Sequence, residues 1–401
     1  MVSQGDAKQG VAGSTTLSSF ASLRVTRGGN LSENLWRRSL AIALAGTSEM
    51  TEKLRFGIVG CGVIGPTHAE AIASLPDAQL AAVTDIIPER AQKLAAQYGA
   101  TPYTDLQEML TGEQLDVVII CTPSGMHGEQ ACQVMRSGRH VIVEKPMEIS
   151  LAAIDEMLRV QQETGVKLAV ISQHRFDPAS RQVHDLLEEK AFGRLVLGNV
   201  IVPWWRSQSY YDSGSWRGTW ELDGGGVLMN QSIHSIDLLQ WFMGPVKSIY
   251  AYTDTLAHRM ETEDVAVAVL RFANGALGTI AATTGAYPGV TTRIEVFGDR
   301  GSAVIENDNL SYLHLARDDN EEVGAYGAAP QASKKIVGEG STTQNPGGLS
   351  YRAHALQIAD MIRAIRTNGT PLVDGYAACR PVEIILGIYE SARTRKEVTL
   401  S

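Results

Sequence analysis

Residues 54–65 read Leu54-Arg55-Phe56-Gly57-Ile58-Val59-Gly60-Cys61-Gly62-Val63-Ile64-Gly65. The first half is typical of a short buried strand, and the second half fits the pattern G-x-G-x-x-G that joins a strand to a helix. Glycines at these positions permit a tight turn, close approach of a pyrophosphate and close packing of the helix on the strand. The positive N-terminus of the following helix favours the same ligand. The stretch therefore predicts a dinucleotide-binding loop made of Gly60, Gly62, Val63, Ile64 and Gly65.

A carboxylate follows the next predicted strand. Residues 79–84 fit a second strand, and Asp85 follows it about 20 residues after the last glycine of the loop. A carboxylate there can accept hydrogen bonds from both ribose hydroxyls and repels a 2′-phosphate, so it favours NAD over NADP. The alternative role for Asp85 is a cap for the helix that begins near Pro88.

The alternation of apolar strands and helices continues through residues 116–121, 140–143 and 167–171. Such alternation predicts a parallel, doubly wound sheet that binds its ligands at the carboxyl ends of the strands. Thr122, His127 and Lys145 follow the strands closely, and we expect all three at that edge. The alternative for Lys145 is a salt bridge to Glu144 or Glu148.

A glycine run at 224–226 precedes a segment without Gly or Pro up to Gly244, which is long enough for a four-turn helix. At about 100° per residue, Asn230, His234 and Asp237 share one narrow stripe of this helix. The other faces are largely apolar, which indicates a buried helix whose polar groups need partners. The stripe is either a core stripe with its hydrogen bonds satisfied or the wall of a ligand site.

Beyond residue 174 the pattern becomes that of a second sheet. Alternating runs predict strands at 246–254, 264–272, 276–284, 291–297 and 302–306, after a first strand at 195–205. Asn274-Gly275 between two of these runs predicts a hairpin. Helices are expected at 179–190, 350–367 and 381–394, and residues 318–347 as a long polar loop. An antiparallel sheet with helices on one face leaves the other face open, which suggests a homodimer or homotetramer.

The loop after residue 203 is rich in aromatic and arginine side chains. It holds Trp204, Trp205, Trp216 and Trp220, which are four of the six tryptophans, and also Arg206, Tyr210, Tyr211 and Arg217. Aromatic faces suit a sugar ring, and arginine suits a carboxylate or a phosphate. The alternative is a packed lid of core aromatic side chains.

Three further motifs accompany the glycine loop in the same order as in a known family. Cys121-Thr122-Pro123-Ser124-Gly125-Met126-His127, Glu144-Lys145-Pro146 and the pattern Gly-Gly-Gly…His-x-x-Asp at 224–237 resemble the Gfo/Idh/MocA oxidoreductases. The resemblance runs from about residue 54 to the C-terminus. It implies an α/β protein with an N-terminal Rossmann sheet at 51–173. An α+β domain at 174–401 would carry a large, mostly antiparallel open sheet for substrate binding and oligomerisation.

The resemblance also implies a set of site residues. His234 matches the catalytic histidine of the family, and Lys145 matches its Glu-Lys-Pro lysine. The family often has Asp four residues before the histidine, where this chain has Asn230, so a strict Asp–His pair is in doubt. Asn230 is still expected in the catalytic set, because its amide can orient the substrate hydroxyl by hydrogen bonding. The predicted cofactor contacts also include Asp85, Thr122, Pro123, His127, Glu144 and Lys145, and the predicted substrate contacts are Gln173, Arg175, Tyr211, Trp216, Arg217, Asn230 and His234.

The motifs resemble most those of sugar 3-dehydrogenases. The sequence thus predicts NAD-dependent transfer of a hydride from a secondary alcohol of a sugar or nucleotide sugar, at C3 of a pyranose. The alternatives are an NAD-dependent glycosidase that oxidises its substrate transiently and a non-catalytic NAD-binding sensor.

Composition narrows the partners and the compartment. A formal net charge of −9 argues against nucleic acid and anionic membranes, and four scattered cysteines lack the spacing of a metal site. No apolar run approaches the roughly 20 residues that a membrane span needs. We expect a cytoplasmic protein. Residues 1–50 are predicted to be a disordered or misassigned extension, although Arg37-Arg38 and the apolar run after them resemble a twin-arginine export signal.

Overall fold

The computed structural model describes residues 52–316 and 351–400, which form two β-sheets covered by helices. The predicted extension at 1–50, with its export-like signal, and the predicted loop at 318–347 lie outside the described residues. No helix in the described part of the chain is long and apolar enough to cross a bilayer.

The first sheet has six parallel strands in the order β3-β2-β1-β4-β5-β6. These strands are β1 (Leu54–Val59), β2 (Ala78–Thr84), β3 (Thr101–Tyr103), β4 (Val117–Ile120), β5 (His140–Val143) and β6 (Leu168–Val170). The order reverses between β1 and β4, and ligands of open parallel sheets bind at such a reversal. The predicted doubly wound sheet is confirmed.

Five helices belong to this part of the chain, and they are α1 (Gly65–Ala73), α2 (Pro88–Tyr98), α3 (Leu106–Gly112), α4 (His127–Arg136) and α5 (Leu151–Thr164). Strand β3 and helix α3 were not predicted, because each is too short for its pattern to stand out. Asp105 caps α3 by accepting the backbone N–H of Glu108, and Ser150 caps α5 in the same way.

The second sheet has eight strands in the order β13-β12-β11-β7-β10-β9-β8-β14. They are β7 (Leu195–Pro203), β8 (Val246–Asp254), β9 (Val265–Phe272), β10 (Leu277–Thr283), β11 (Arg293–Gly298), β12 (Gly301–Glu306), β13 (Asn309–Leu315) and β14 (Val398–Thr399). Neighbouring strands are antiparallel except β7 and β10, which run parallel. The predicted, mostly antiparallel sheet is confirmed.

Two hairpins of this sheet contrast in their sequence signals. The Asn274-Gly275 turn joins β9 and β10 as predicted. The turn between β12 and β13 was missed, since it contains no glycine: Asn307 and Asp308 themselves take left-handed conformations, with φ of 45° and 63°. Asparagine and aspartate tolerate this region better than other side chains.

The helices of the second part are α6 (Pro178–Glu188), α7 (Gln208–Tyr211), α8 (Ile233–Met243), α9 (Tyr351–Arg366) and α10 (Gly375–Thr394). The prediction that the last helix begins at Pro381 was wrong: α10 begins at Gly375, where Asp374 caps it by accepting the N–H of Ala377, and Pro381 lies inside the helix. Buried residues of α9 pack in one cluster with Phe56 and Ile58 of β1. A helix from the predicted second domain thus covers the first sheet.

Candidate active site

The glycine loop after β1 combines close packing with open space. Gly60 has a φ of +96°, and a Cβ there would lie 2.7 Å from the carbonyl oxygen of Cys121. A Cβ on Gly65 would lie 2.6 Å from the carbonyl oxygen of Gly60, whereas one on Gly62 would meet no atom within 4 Å. Val63 is 71% exposed beside this space, and Ile64 precedes the first residue of α1. The loop leaves room for a pyrophosphate at the N-terminus of α1.

Asp85 links the end of β2 to the glycine loop. One carboxylate oxygen accepts the backbone N–H of Cys61 at 2.8 Å, and the other accepts that of Ile87 at 2.9 Å. The second bond closes a turn just before α2, but it is not the helix cap considered for Asp85, because Ile87 is the N-cap residue and has no side-chain cap. Each carboxylate oxygen has a second lone pair, so these two bonds are compatible with the predicted ribose contact.

His127 connects the loop after β4 to the loop after β5 through its two ring nitrogens. The two ring nitrogens of His127 lie 2.8 Å from the carbonyl oxygen of Pro146 and 2.9 Å from that of Thr122. Burial lowers the pKa of His127, although both carbonyls oppose the shift. The ring therefore holds backbone rather than presenting a free nitrogen. Thr122 donates its hydroxyl to Gln130 at 2.6 Å, and Pro123 follows it at the strand edge. The predicted contacts of these three residues with the cofactor remain predictions.

Glu144 is buried beside two histidines that were not predicted. Its carboxylate lies 2.7 Å from Nε2 of His68 and accepts the backbone N–H of Lys145 at 3.1 Å. Burial by itself raises the pKa of Glu144, but the hydrogen bond and charge of His68, with the charge of His354, hold it below its usual range. Glu144 is therefore an anion directly behind Lys145.

Lys145 reaches from the end of β5 to the second part of the chain. Its Nζ donates to the carbonyl oxygen of Asn230 at 2.9 Å and to the side-chain Oδ1 of Asn230 at 3.2 Å. Within the described residues Nζ forms no ion pair with Glu144 or Glu148, so the salt-bridge alternative was wrong. Burial lowers the pKa of Lys145, while the charges of Glu144 and Asp223 oppose the shift. An ammonium has three donors, and one is left for a ligand.

The helix that carries Asn230 is not the regular α-helix that was predicted. Val227–Ser232 forms a π-helix, and α8 begins only at Ile233. The buried carboxylate of Glu263 accepts the N–H groups of Gly226 at 2.9 Å and Leu228 at 2.8 Å, and its backbone carbonyl accepts that of Val227. Three consecutive N–H groups are thereby satisfied where the helix begins. A side chain at Gly226 would collide with this carbonyl, which explains the glycine.

The π-helical turn separates the residues of the predicted polar stripe. Asp237 is buried and forms a bidentate ion pair with Arg175, at 2.8 Å from Nε and 2.5 Å from Nη2. Ser172 donates its hydroxyl to the same carboxylate. The ion pair uses two of the five N–H donors of Arg175, and its predicted substrate contact stays a prediction. The neighbouring Gln173 is buried, with no partner for its Oε1 in the described ranges.

His234 lines a small pocket together with His174, Trp204, Gln231 and Asp308. Burial lowers the pKa of His234 well below its ordinary value, and the charges of His174 and Lys145 add to the shift. Within the described residues no hydrogen bond occupies its ring. A neutral imidazole with a free nitrogen can accept a proton from a ligand in this pocket.

The aromatic loop forms a stack that alternates aromatic rings with guanidinium groups. Arg217 lies 4.5 Å from the ring centroids of both Trp216 and Tyr210, and Arg206 lies 5.5 Å from Tyr210 and 5.0 Å from Trp204. Neither guanidinium has a carboxylate within 4.0 Å in the described part of the chain. The stack ends with Trp204, which lines the pocket. The charge of Asp223 acts on Arg217, but the two form no ion pair in the described residues.

The surroundings of Tyr211 fit the alternative considered for this loop, a lid of packed aromatic side chains. Its hydroxyl is paired with Thr284 at 2.7 Å, its side chain is buried, and burial raises its pKa. Tyr210, which the sequence did not single out as a contact, reaches the helix: its hydroxyl accepts from Arg217 at 2.8 Å and from Gln231 at 3.1 Å.

Several residues of the site escaped prediction. Asp223 and Glu263 are buried carboxylates in loops, where no periodicity marks them, although Asp223 stands directly before the glycine run. His174 lies within 5.1 Å of His234 between ring centroids. Two groups, His68-Glu144-His354 and His174-Asp177-Asp308, have the donor types of a metal site, and hydrogen bonds link members of each group. The predicted absence of a metal stays a prediction.

Comparison with known proteins now adds to this geometry. Residues 54–172 match the family model described as oxidoreductase family, NAD-binding Rossmann fold, and residues 180–304 match the GFO/IDH/MocA C-terminal domain. The WlbA dehydrogenase of Bordetella pertussis, solved with NADH and UDP-GlcNAcA, is 35% identical over 87% of this chain and 99% of that one, with a TM-score of 0.76. The WlbA dehydrogenase from Chromobacterium violaceum, solved with the same two ligands, is 32% identical, with 88% and 97% covered and a TM-score of 0.77.

A cyclitol enzyme also matches. Myo-inositol 2-dehydrogenase of Thermotoga maritima is 28% identical over 68% of this chain and 81% of its own length. These similarities confirm the predicted enzyme class, an NAD-dependent oxidoreductase of the group that contains the inositol dehydrogenases, and they confirm NAD as the cofactor. The chain belongs to the Gfo/Idh/MocA family of oxidoreductases, and its six-stranded sheet is the NAD-binding Rossmann fold of that family.

Proposed function

We propose that this protein oxidises a secondary hydroxyl of an anionic pyranose, a nucleotide sugar, at C3 and passes the hydride to NAD. One observation carries the proposal: Lys145 Nζ, at the ligand-binding edge of the first sheet, is held by Asn230, one helical turn before His234. Lys145 is thus linked to the segment that carries His234, and its charge acts on the His234 ring. The carbon number rests on the resemblance of the 210–234 motifs to sugar 3-dehydrogenases.

The chemistry needs a hydride acceptor, and bound NAD supplies it through its nicotinamide ring. Gly62 and the N-terminus of α1 would hold the pyrophosphate, and Asp85 the ribose. The free N–H of Lys145 would bind the substrate hydroxyl and stabilise the negative charge that develops on its oxygen. His234, kept neutral by burial, would accept the hydroxyl proton. Asn230 holds Lys145 and cannot itself take the proton.

Charge complementarity supports an anionic substrate. Arg206 and Arg217 have no carboxylate partner in the described ranges, and Nε of Arg206 is buried without a hydrogen-bond partner there. Arginine binds phosphate and carboxylate in bidentate fashion. The relatives of this chain solved with NADH and UDP-GlcNAcA bind a ligand that carries such groups.

The open face of the second sheet supports self-association. Ile201, Val267, Val269 and Leu277 project from it and are between 39% and 53% exposed. A contiguous apolar face of this kind is typical of an interface, and we propose a homodimer or homotetramer formed through it. Light scattering on the wild type and on Val267→Arg tests this, because a charge in the interface should yield monomers. We also propose a cytoplasmic location, in keeping with four free cysteines.

A screen of sugars, cyclitols and UDP-sugars with NAD and NADP, followed by the absorbance of the reduced cofactor, tests the function. Stoichiometric NADH formation with a UDP-sugar supports the dehydrogenase. Cleavage of a glycoside without net NADH would instead establish the glycosidase alternative, and NAD binding without either reaction would establish the sensor.

A further inference from the structure

The amide of Asn230 is fixed between a cation and an anion. Its Oδ1 accepts from Nζ of Lys145 at 3.2 Å, and its Nδ2 donates to Oδ1 of Asp223 at 2.7 Å. An ammonium can only donate and a carboxylate can only accept. The two neighbours therefore allow one of the two amide orientations, with the oxygen toward Lys145.

Asp223 is buried inside the protein. It is 2% exposed, and its second oxygen accepts the backbone N–H of Gly218 at 2.8 Å. In the described part of the chain no arginine or lysine nitrogen lies within 4.0 Å of it, so its charge acts across the amide on Lys145 and on the nearby Arg217. Such a buried carboxylate needs a reason, because burying an unpaired charge is costly.

We propose that Asp223 is a positioning residue that fixes Lys145 through the oriented amide of Asn230, so that residues 223 and 230 act as one exchangeable carboxylate–amide pair. The substrate is not touched by Asp223. The pair places a negative charge one amide away from the ammonium and thereby holds Nζ in place as a cation. The turnover readout of this inference rests on the proposed function, whereas its titration readout does not.

The proposal accounts for the amide at residue 230. An aspartate there would bring two carboxylates to hydrogen-bond distance, and one of them would have to be protonated. Exchanging the residues, with asparagine at 223 and aspartate at 230, rebuilds the same set of bonds: the amide oxygen accepts from Gly218, its nitrogen donates to the carboxylate, and the carboxylate accepts from Lys145.

Competitive acetylation of the full-length protein with acetic anhydride tests the titration readout, since only the deprotonated amine reacts. Mass spectrometry gives the rate at Lys145 without any substrate. Asp223→Asn is expected to lower the pKa of Lys145 and to raise its acetylation rate about tenfold near neutral pH. The exchange variant Asp223→Asn/Asn230→Asp is expected to return the rate to the wild-type value or below it, because its carboxylate contacts Nζ directly. A wild-type rate in Asp223→Asn, or an exchange variant that reacts as fast as the single variant, would overturn the proposal.

The matched control is Asp264→Asn, which alters another buried aspartate that accepts backbone N–H groups, those of Leu256, Ala257 and His258. It is expected to change the melting temperature and leave Lys145 acetylation unchanged. An equal rise in acetylation in this control would show a general loosening of the fold and contradict the positioning role.

Turnover provides the second readout. Asp223→Asn should lower kcat about tenfold or more with a smaller change in KM, because Nζ acts on the developing charge rather than on binding. The exchange variant should recover most of kcat, and failure to recover any of it would count against the pair. A wild-type protein that oxidises no sugar would refute the proposed function, while acetylation would still decide the role of Asp223.

Discussion

The ring of His234 meets the ring of His174 edge-on, with 5.1 Å between their centroids. His174 lies 2.7 Å from a carboxylate oxygen of Asp177 and 3.3 Å from one of Asp308. Burial lowers the pKa of His174, but the charges of Asp308 and Asp177 more than offset this and raise it to about 9. His174 is therefore a cation at neutral pH, and its charge helps to keep His234 neutral.

Replacing His174 by glutamine should move the pH dependence of the reaction. Removing the cation removes a repulsion that lowers the pKa of His234, so that pKa rises. The acid limb of kcat/KM should then shift to higher pH, by about one unit. A pH–rate profile measures the shift, and an acid limb at the wild-type position would contradict the coupling of the two rings. Asp177→Asn leaves the imidazole in place, and Asp308 still favours its charged form, so this variant should not shift the acid limb to higher pH.

The substitution His174→Gln should also lower the stability of the fold, to an extent that depends on pH. Because the pKa of His174 is raised in the folded state, its contribution to stability is complete below the unfolded value of about 6.5 and is lost as pH rises through about 9. His174→Gln should therefore lower the melting temperature more near pH 6 than near pH 9.5. An equal loss at both pH values would show that the charge plays no part.

Glu263 should control the start of the helix that holds Asn230. Burial raises the pKa of its carboxyl group to about 7, so this group stabilises the fold at low pH and loses that contribution as pH rises from about 4.5 through 7. Glutamine cannot accept both N–H groups, and Glu263→Gln should cost about 1–3 kcal/mol in the free energy of unfolding at neutral pH. Denaturant titration measures the loss, and unchanged stability would contradict the capping role.

Loss of either member of the buried Arg175–Asp237 pair should lower the free energy of unfolding more than loss of both. Arg175→Met leaves an unpaired buried carboxylate and should cost about 3–5 kcal/mol. The double variant Arg175→Met/Asp237→Leu should be more stable than either single variant, since it buries no charge. Urea unfolding of the three variants decides this, and an additive loss in the double variant would rule out the coupling.

Asp85 should set the choice of cofactor. Replacing it by serine keeps one acceptor for a loop N–H but removes the charge that repels a 2′-phosphate. The affinity for NADP relative to NAD should therefore rise about tenfold. Fluorescence titration with both reduced cofactors measures the ratio, and an unchanged ratio would leave the two bonds to the backbone of Cys61 and Ile87 as the whole role of Asp85.

The sequence predicts well those parts of the molecule in which one strong local pattern decides the structure. The glycine loop, the apolar parallel strands and the Asn274-Gly275 hairpin all lie where their patterns place them. The missed hairpin has Asn307 and Asp308 at its turn, residues that tolerate a positive φ but are not glycine. Pro381 lies inside α10, a helix with many buried residues whose tertiary packing stabilises it.

The candidate site was harder to predict, because its geometry depends on contacts distant in sequence. Lys145 and Asn230 are 85 residues apart, and nothing in either segment indicates their hydrogen bonds. The segment that carries Asn230, His234 and Asp237 is a π-helix followed by an α-helix, and its first N–H groups bind the distant Glu263. Asp237 then faces Arg175, a partner that only the folded chain reveals.

The most direct test is the rate at which NAD is reduced with UDP-sugars by the wild type, Lys145→Ala and His234→Ala, with NAD binding measured in parallel. The account predicts stoichiometric NADH formation by the wild type with at least one UDP-sugar. Each variant should lose about 10²–10⁴-fold in kcat. His234→Ala should bind NAD as before, whereas Lys145→Ala also removes a predicted cofactor contact. Turnover near the wild-type rate in either variant would contradict the assignment of the site.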